Sequence, residues 1–222
     1  MFEKDTIQTD AGDLEIIFIG HGTLMLKFNE KILHIDPWSQ LADYADMPKA
    51  DIILITHEHQ DHLDPKAVED VRTETTALIL TRICAERIDG GTVMKNGDEE
   101  TIDGIRIEAV PAYNIEHMRS PGVPYHPRGD GNGYIITFGN RRVYIAGDTE
   151  NTPELKAIKN IDVVFLPMNL PYTMVPEMAA DACRALKPGI LYPYHFGQTD
   201  TSQLKALLKD EPGVEIRIRK MA

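Results

Sequence analysis

Residues 56–62 read Thr-His-Glu-His-Gln-Asp-His. The imidazoles of His57, His59 and His62 and the carboxylate of Asp61 are thereby crowded into one short stretch. His57 and His59 stand two apart, so an extended chain projects both to one side. Asp61 and His62 follow where the chain turns toward Asp64-Pro65, and such a turn can aim them back at the same point. Nitrogen and carboxylate donors at this density suit zinc, with manganese or iron as alternatives. The chain has 8 histidines in 222 residues, so three in one hexapeptide argue against a solvated turn carrying them by chance. A divalent ion lowers the pKa of bound water from near 16 to roughly 7, so the implied chemistry is hydrolysis. Asp61 is the candidate to orient the water and accept a proton, with a ligand role as the alternative.

Such donors need a rigid support. Residues 51–56 (DIILIT) form a continuous apolar run, as expected of a strand buried on both faces. Residues 14–20, 23–28 and 31–36 read as three earlier strands separated by Gly and Asn turns. Asp64 and Pro65 predict the N-cap and first position of a helix over 64–71. A strand over 77–80 and a short helix over 81–87 follow. Further strands are expected at 100–102, 105–111, 133–138 and 142–146, with Asp103-Gly104 and Gly139-Asn140 as hairpin turns. A helix over 152–158, a strand over 161–167, a helix over 176–186, a strand over 190–194, a helix over 201–208 and an edge strand over 215–219 complete the chain. The two halves are alike: hairpins, then an apolar strand ending in polar residues, then a helix. The expected fold class is α/β, an αββα four-layer sandwich in one domain over residues 1–222. The segment 112–132 is the exception, a long loop rich in Pro and Gly that carries His117 and His126. Loops of this length without secondary structure are usually functional or mobile.

The formal net charge of -12 repels polyanions, and no Lys/Arg run offers a grip on nucleic acid. A small-molecule substrate is the better expectation, and composition leaves the oligomeric state open. The 2 cysteines, Cys84 and Cys183, are too few for a disulfide framework and read as core residues. No apolar run reaches the roughly 18 residues of a spanning helix. The opening residues are too polar for a signal peptide, which makes the cytoplasm the default location, though a leader already removed would leave no trace.

The stretch His57 to His62 resembles the HxHxDH signature of the metallo-β-lactamase fold superfamily. Gly147-Asp148-Thr149 after a strand resembles the family's bridging aspartate. Tyr194-His195 at a strand end resembles its last histidine ligand, and Asp36 before Pro37 matches an aspartate common in the family. Gly20-His21-Gly22-Thr23 is similar to the opening of a branch that includes ascorbate-6-phosphate lactonases, N-acyl-phosphatidylethanolamine phospholipases and UPF0173-like metal-dependent hydrolases. The resemblance runs from about Leu14 to Gln198. It implies that His57 and His59 bind a first metal, that Asp61, His62 and His195 bind a second, and that Asp148 bridges them. One or two divalent ions would then serve the hydrolysis of a small ester, lactone or phosphodiester. A nuclease-type phosphodiesterase is the alternative enzyme.

The chain departs from the pattern at one place. The family's third first-site histidine follows a mid-chain strand, and here Asn114 takes that position. Asn114 is therefore a candidate for substrate binding, and His126 for a replacement ligand. A non-catalytic metal- or ligand-binding module with a degenerate first site is the reading this departure motivates. Asp36 is expected either to hydrogen-bond a ligand histidine from behind or to cap a turn. His34 is read as packing, His117 as surface, and His21 stays undecided. Arg128 is a candidate partner for an anionic substrate group. Trp38, Tyr44, Tyr125 and Tyr172 are candidates for lining a pocket.

Overall fold

A computed structural model describes residues 2–222. The first sheet is built in chain order from β1 (Glu3–Thr9), β2 (Gly12–Gly20), β3 (Thr23–Phe28), β4 (Lys31–Ile35) and β5 (Ile52–Leu54), then β6 (Ala77–Leu80) and β7 (Thr92–Val93). β1 to β4 pair antiparallel and β4 to β7 pair parallel. Between β5 and β6 lies α1 (Pro65–Val71). The Asp64 carboxylate caps it by accepting from the amides of Lys66 and Ala67, and Pro65 opens the helix where no N–H is needed.

The second sheet repeats the plan. β8 (Glu99–Ile102) and β9 (Ile105–Ala112) come first, and β10 (Met118–Ser120) and β11 (Val123–Pro124) form a small separate hairpin. β12 (Gly131–Phe138), β13 (Arg141–Ile145), β14 (Val163–Pro167), β15 (Ile190–Tyr194) and β16 (Glu215–Ile216) complete the sheet, in the order β16-β15-β14-β13-β12-β9-β8. β8, β9, β12 and β13 pair antiparallel, and β13 to β16 pair parallel. α2 (Pro153–Ala157), α3 (Pro176–Leu186) and α4 (Thr201–Leu207) cover its outer face.

Side-chain alternation sets the layers. Leu14 and Ile16 of β2, Ile52 and Leu54 of β5, and Val143 and Ile145 of β13 point into one core between the sheets. Ile53 and Ile55 point the other way, onto Val68 and Val71 of α1. Tyr144 and Ala146 point outward onto Leu155 and the α3 alanines. The result is the αββα sandwich. Both cysteines are buried and unbridged, and among the described residues no helix is long and apolar enough to cross a membrane.

The structure differs from the sequence expectation in several segments. Residues 112–132, read as loop, contain the β10–β11 hairpin, and β7 was not anticipated. β1 was not anticipated, because its residues are polar and Ile7 alone is fully buried; it is an edge strand held by its ladder to β2. Residues 81–87 form only a single 3-10 turn at Cys84–Glu86. The chain must return at once to pair Thr92 with Ile79, and Gly91 passes so close that a Cβ there would stand 2.7 Å from Leu80. The last strand stops at Ile216, after which Arg217 and Arg219 turn to the carboxylate of Asp5.

Candidate metal centre

The strand ends of both sheets meet along one edge, and the polar residues that follow them face one another there. Asp36 follows β4 with φ 45°, a left-handed conformation that Asp tolerates better than most residues. Its carboxylate accepts from the Thr56 amide at 2.8 Å, the Thr56 hydroxyl at 2.6 Å and His62 Nδ1 at 2.7 Å. A carboxylate partner at Nδ1 places the His62 proton there and leaves Nε2 as a lone pair. The His59 carbonyl accepts from the amides of His62 and Leu63, so the chain turns and aims Asp61 and His62 back beside His57. Gly147 has φ 66°, and a Cβ there would stand 2.8 Å from the Asn132 carbonyl. This close passage delivers Asp148 to the edge.

The donors fall into two groups. In one, His59 Nδ1 lies 3.0 Å from His57 Nε2 and 3.2 Å from His126 Nε2. In the other, His195 Nε2 lies 3.1 Å from His62 Nε2 and 3.4 Å from Asp61 Oδ2. Asp148 stands between them. Its Oδ2 is 3.3 Å from His126 Nε2 and 4.0 Å from His57 Nε2, and its Oδ1 is 3.5 Å from His62 Nε2 and 3.6 Å from His195 Nε2. Ligands at 2.0–2.1 Å in a tetrahedron stand about 3.3 Å apart, so these separations suit a zinc-sized ion. Asp148 Oδ1 is buried and has no hydrogen-bond partner, and an unpartnered buried carboxylate oxygen is costly without a cation. The donor set therefore fits divalent metal.

The protonation balance agrees. Burial, reinforced by the charge of His62, holds His57 well below the usual histidine range. Burial also works against charge on His62, but Asp148, Asp36 and Asp61 outweigh it and lift its pKa to about 10. Without a metal these carboxylates thus favour a second proton at His62 Nε2; a divalent ion bound there would take that proton's place and meet the Nε2 lone pair instead.

His126 is brought into the first group and Asn114 is kept behind it. Asn114 is buried, and all its polar capacity is used. Oδ1 accepts twice from His126, while Nδ2 donates to Glu150 Oε1 at 3.0 Å and to the Tyr172 carbonyl at 2.8 Å. Glu150 is the base of this arrangement and was missed in the sequence. Its carboxylate also accepts from the amides of Ile115, Glu116 and His117, each at 2.7 Å. Burial pushes Glu150 up, but these bonds outweigh it and hold it below the usual range. His117 is not a free surface residue: its Nδ1 lies 2.6 Å from Glu150. His21 joins the second group, with Nε2 3.0 Å from Asp61 Oδ2 and its ring 3.8 Å from that of His195. The Gly-His-Gly-Thr opening was the sequence signal for it.

Residues 15–195 match the family described as the beta-lactamase superfamily domain. A UPF0173 metal-dependent hydrolase from Thermococcus kodakarensis is 32% identical over 221 residues, covering 91% of this chain and 96% of the relative. The chain belongs to this family of metal-dependent hydrolases. The crystal structure of a proposed metal-dependent hydrolase from Parabacteroides distasonis is similar at a TM-score of 0.95 and 50% identity, over 100% of both chains. A metallo hydrolase from Ignicoccus hospitalis shares the fold at a TM-score of 0.76 and 22% identity, over 94% of this chain and 96% of that one.

In this hydrolase the donors open onto a cavity of about 500 Å³. His59, Asp61 and His195 line it together with Arg119, Tyr125 and Tyr172. Three residues that the sequence offered to the substrate or its pocket, Arg128, Tyr44 and Trp38, do not line it. Arg128 is tied to Glu154 and lies over the Tyr113 ring, so its charge is already used. Tyr44 is fully buried in the outer core beside α1. Trp38 packs against the His21 ring at 5.3 Å. Arg119 has no motif around it and became visible only through the hairpin that carries it.

Proposed function

We propose that the protein hydrolyses a small ester, lactone or phosphodiester with one or two divalent ions, zinc before manganese or iron. On this reading His57, His59 and His126 hold a first ion, Asp61, His62 and His195 hold a second, and Asp148 lies between them. The observation that carries the reading is Asp148 itself, buried, with an unpartnered oxygen and imidazole nitrogens of both groups facing its two oxygens. An ion bound there supplies Lewis acidity and brings the pKa of a water to roughly 7.

The chain's own groups hold and orient. Asp36 and Asn114 fix the tautomers of His62 and His126, so their Nε2 lone pairs face the cluster. Burial pushes Asp61 up, but hydrogen bonds from His195 and His21 and the charge of His62 keep it far below the usual carboxylate range. Asp61 is thereby kept ionised, the form needed either to hold the ion or to orient the water and accept its proton. The cavity volume falls in the range of roughly 300–1,000 Å³ typical of small-molecule sites. One domain is part of the same reading, since Met221 near the end packs in the same core as Ile7 near the start.

The test is metal per chain by elemental analysis, with hydrolysis of ester, lactone and phosphodiester panels, in the wild type and in His59→Ala and His195→Ala. Loss of metal in each variant, together with saturable hydrolysis in the wild type, is expected. Unchanged metal content in both variants would overturn the assignment.

A further inference from the structure

The cavity above the donors is not chemically uniform, and its walls select a ligand. Arg119, on β10, is the one Lys or Arg that lines it. Every other arginine of the chain bonds a carboxylate or a backbone carbonyl. Among the described residues Arg119 bonds neither, and its guanidinium lies 5.8 Å over the Tyr125 ring. A cation left without a partner in a protein of net charge -12 is unusual, because carboxylates are plentiful. Arg119 is offered to the cavity instead.

Beside it stand two aromatic rings, Tyr125 and Tyr172. They meet edge to face at 5.0 Å. Ile115, Met118 and Val123 from one wall segment, and Leu170 and Tyr172 from the other, are most of the large apolar side chains this protein exposes. Of these Tyr172 lines the cavity itself, and the others lie on the same two chain segments as Arg119, Tyr125 and Tyr172, so the segments that wall the cavity also carry most of the exposed apolar surface, the mark of a binding site rather than of scattered surface residues. The two walls are joined at their base, where Asn114 Nδ2 donates to the Tyr172 carbonyl. His59, Asp61 and His195 line the same cavity.

Resting on the hydrolase reading, we propose that the substrate is a small organic anion with an apolar body. Its carboxylate or phosphate pairs with the Arg119 guanidinium, and its apolar body packs on Tyr125 and Tyr172. The bond to be cleaved lies over the donor cluster. A guanidinium suits both carboxylate and phosphate because its paired N–H groups match two oxygens at once.

Binding read by calorimetry on the metal-loaded protein tests this without turnover. The probes are hexanoate, hexyl phosphate, hexanol and inorganic phosphate. Both hexyl anions are expected to bind about tenfold tighter than hexanol, the scale of one charge-assisted pair. Arg119→Gln should remove that advantage and leave hexanol unchanged. Tyr172→Ala should weaken the hexyl ligands and leave inorganic phosphate unchanged. The tighter of hexanoate and hexyl phosphate identifies the headgroup. Anion affinities that survive Arg119→Gln, or inorganic phosphate binding as tightly as hexyl phosphate, would overturn the proposal. Failed hydrolysis panels beside intact Arg119-dependent binding would sink the hydrolase reading alone. Hydrolysis with no Arg119-dependent anion preference would sink the ligand class alone.

Discussion

Asn114 Oδ1 accepts two hydrogen bonds from one residue, the His126 backbone amide at 2.8 Å and His126 Nδ1–H at 2.7 Å. The Asn114 amide in turn donates to the His126 carbonyl at 2.9 Å. On the proposed reading, a residue in the place of a family ligand thus holds another residue in that role. Removing the acceptor frees the ring to rotate and to change tautomer. Asn114→Ala is expected to weaken metal binding about 10- to 100-fold, the usual cost of losing such a partner. Chelator competition measures it, and an unchanged affinity would show that His126 is positioned by packing alone.

Gly22 carries the second group. A Cβ at this position would stand 2.8 Å from His62 Cε1 and 3.3 Å from His195 Cδ2. Neither ring can yield freely, since His62 is tied to Asp36 and lies 3.1 Å from His195. Gly22→Ala should therefore shift both imidazoles and lower metal content in the second group while sparing His57, His59 and His126. The overpacking should cost about 1–3 kcal/mol of stability. Elemental analysis beside thermal unfolding reads both effects, and full metal content in this variant would show that the rings accommodate the methyl group.

The sequence reveals the parts of this centre that are local. His57, His59, Asp61 and His62 share one turn, and the apolar run before them identifies its support. Pro65 and Asp64 mark α1 because capping is a local matter. Residues whose partners are far away leave no such trace. Glu150 reaches Asn114 across 36 positions and His126 reaches His59 across 67. No spacing rule encodes those distances; the pairing of β9 with β12 and the return of β13 create them. β1 is hidden for a related reason: its polar residues are held by a ladder to β2 rather than by burial.

Asp36 offers a stability test apart from chemistry. Its carboxylate is the acceptor for the Thr56 amide, the Thr56 hydroxyl and His62 Nδ1, all buried. Asp36→Ala strands those donors and puts a Cβ residue without a local polar partner at φ 45°. Each stranded donor costs about 1–3 kcal/mol, so a loss of about 3 kcal/mol or more is expected. Asp36→Asn keeps an acceptor for the Thr56 amide and tolerates the backbone, so its loss should be clearly smaller. Urea unfolding of the chelated proteins checks the order, and equal losses would show that the charge rather than the acceptor geometry matters.

His34 gives a pH dependence whose sign is fixed by its surroundings. It lies on β4, its Nε2–H donates to the Pro48 carbonyl at 3.0 Å, and its Nδ1 is buried without a partner. Burial is the main cause of its depressed pKa, about 4 against an ordinary 6.5, with the charge of Lys27 acting the same way and the Pro48 bond opposing. The folded protein therefore keeps this ring neutral where the unfolded chain already protonates it. Between about pH 6.5 and pH 4 the unfolded state binds more protons, so stability falls as pH falls. The contribution is fully present above about pH 6.5, decreases through that window and levels off below about pH 4, for a total of about 3 kcal/mol. Carboxylates and the clustered histidines also titrate on acidification, so the readout is the difference between wild type and His34→Gln, both chelated. Urea unfolding from pH 7.5 to pH 4 should give the wild type the steeper decline. Parallel curves would mean that water or a shifted strand relieves the buried ring, and that His34 is not the group that destabilises this sheet in acid.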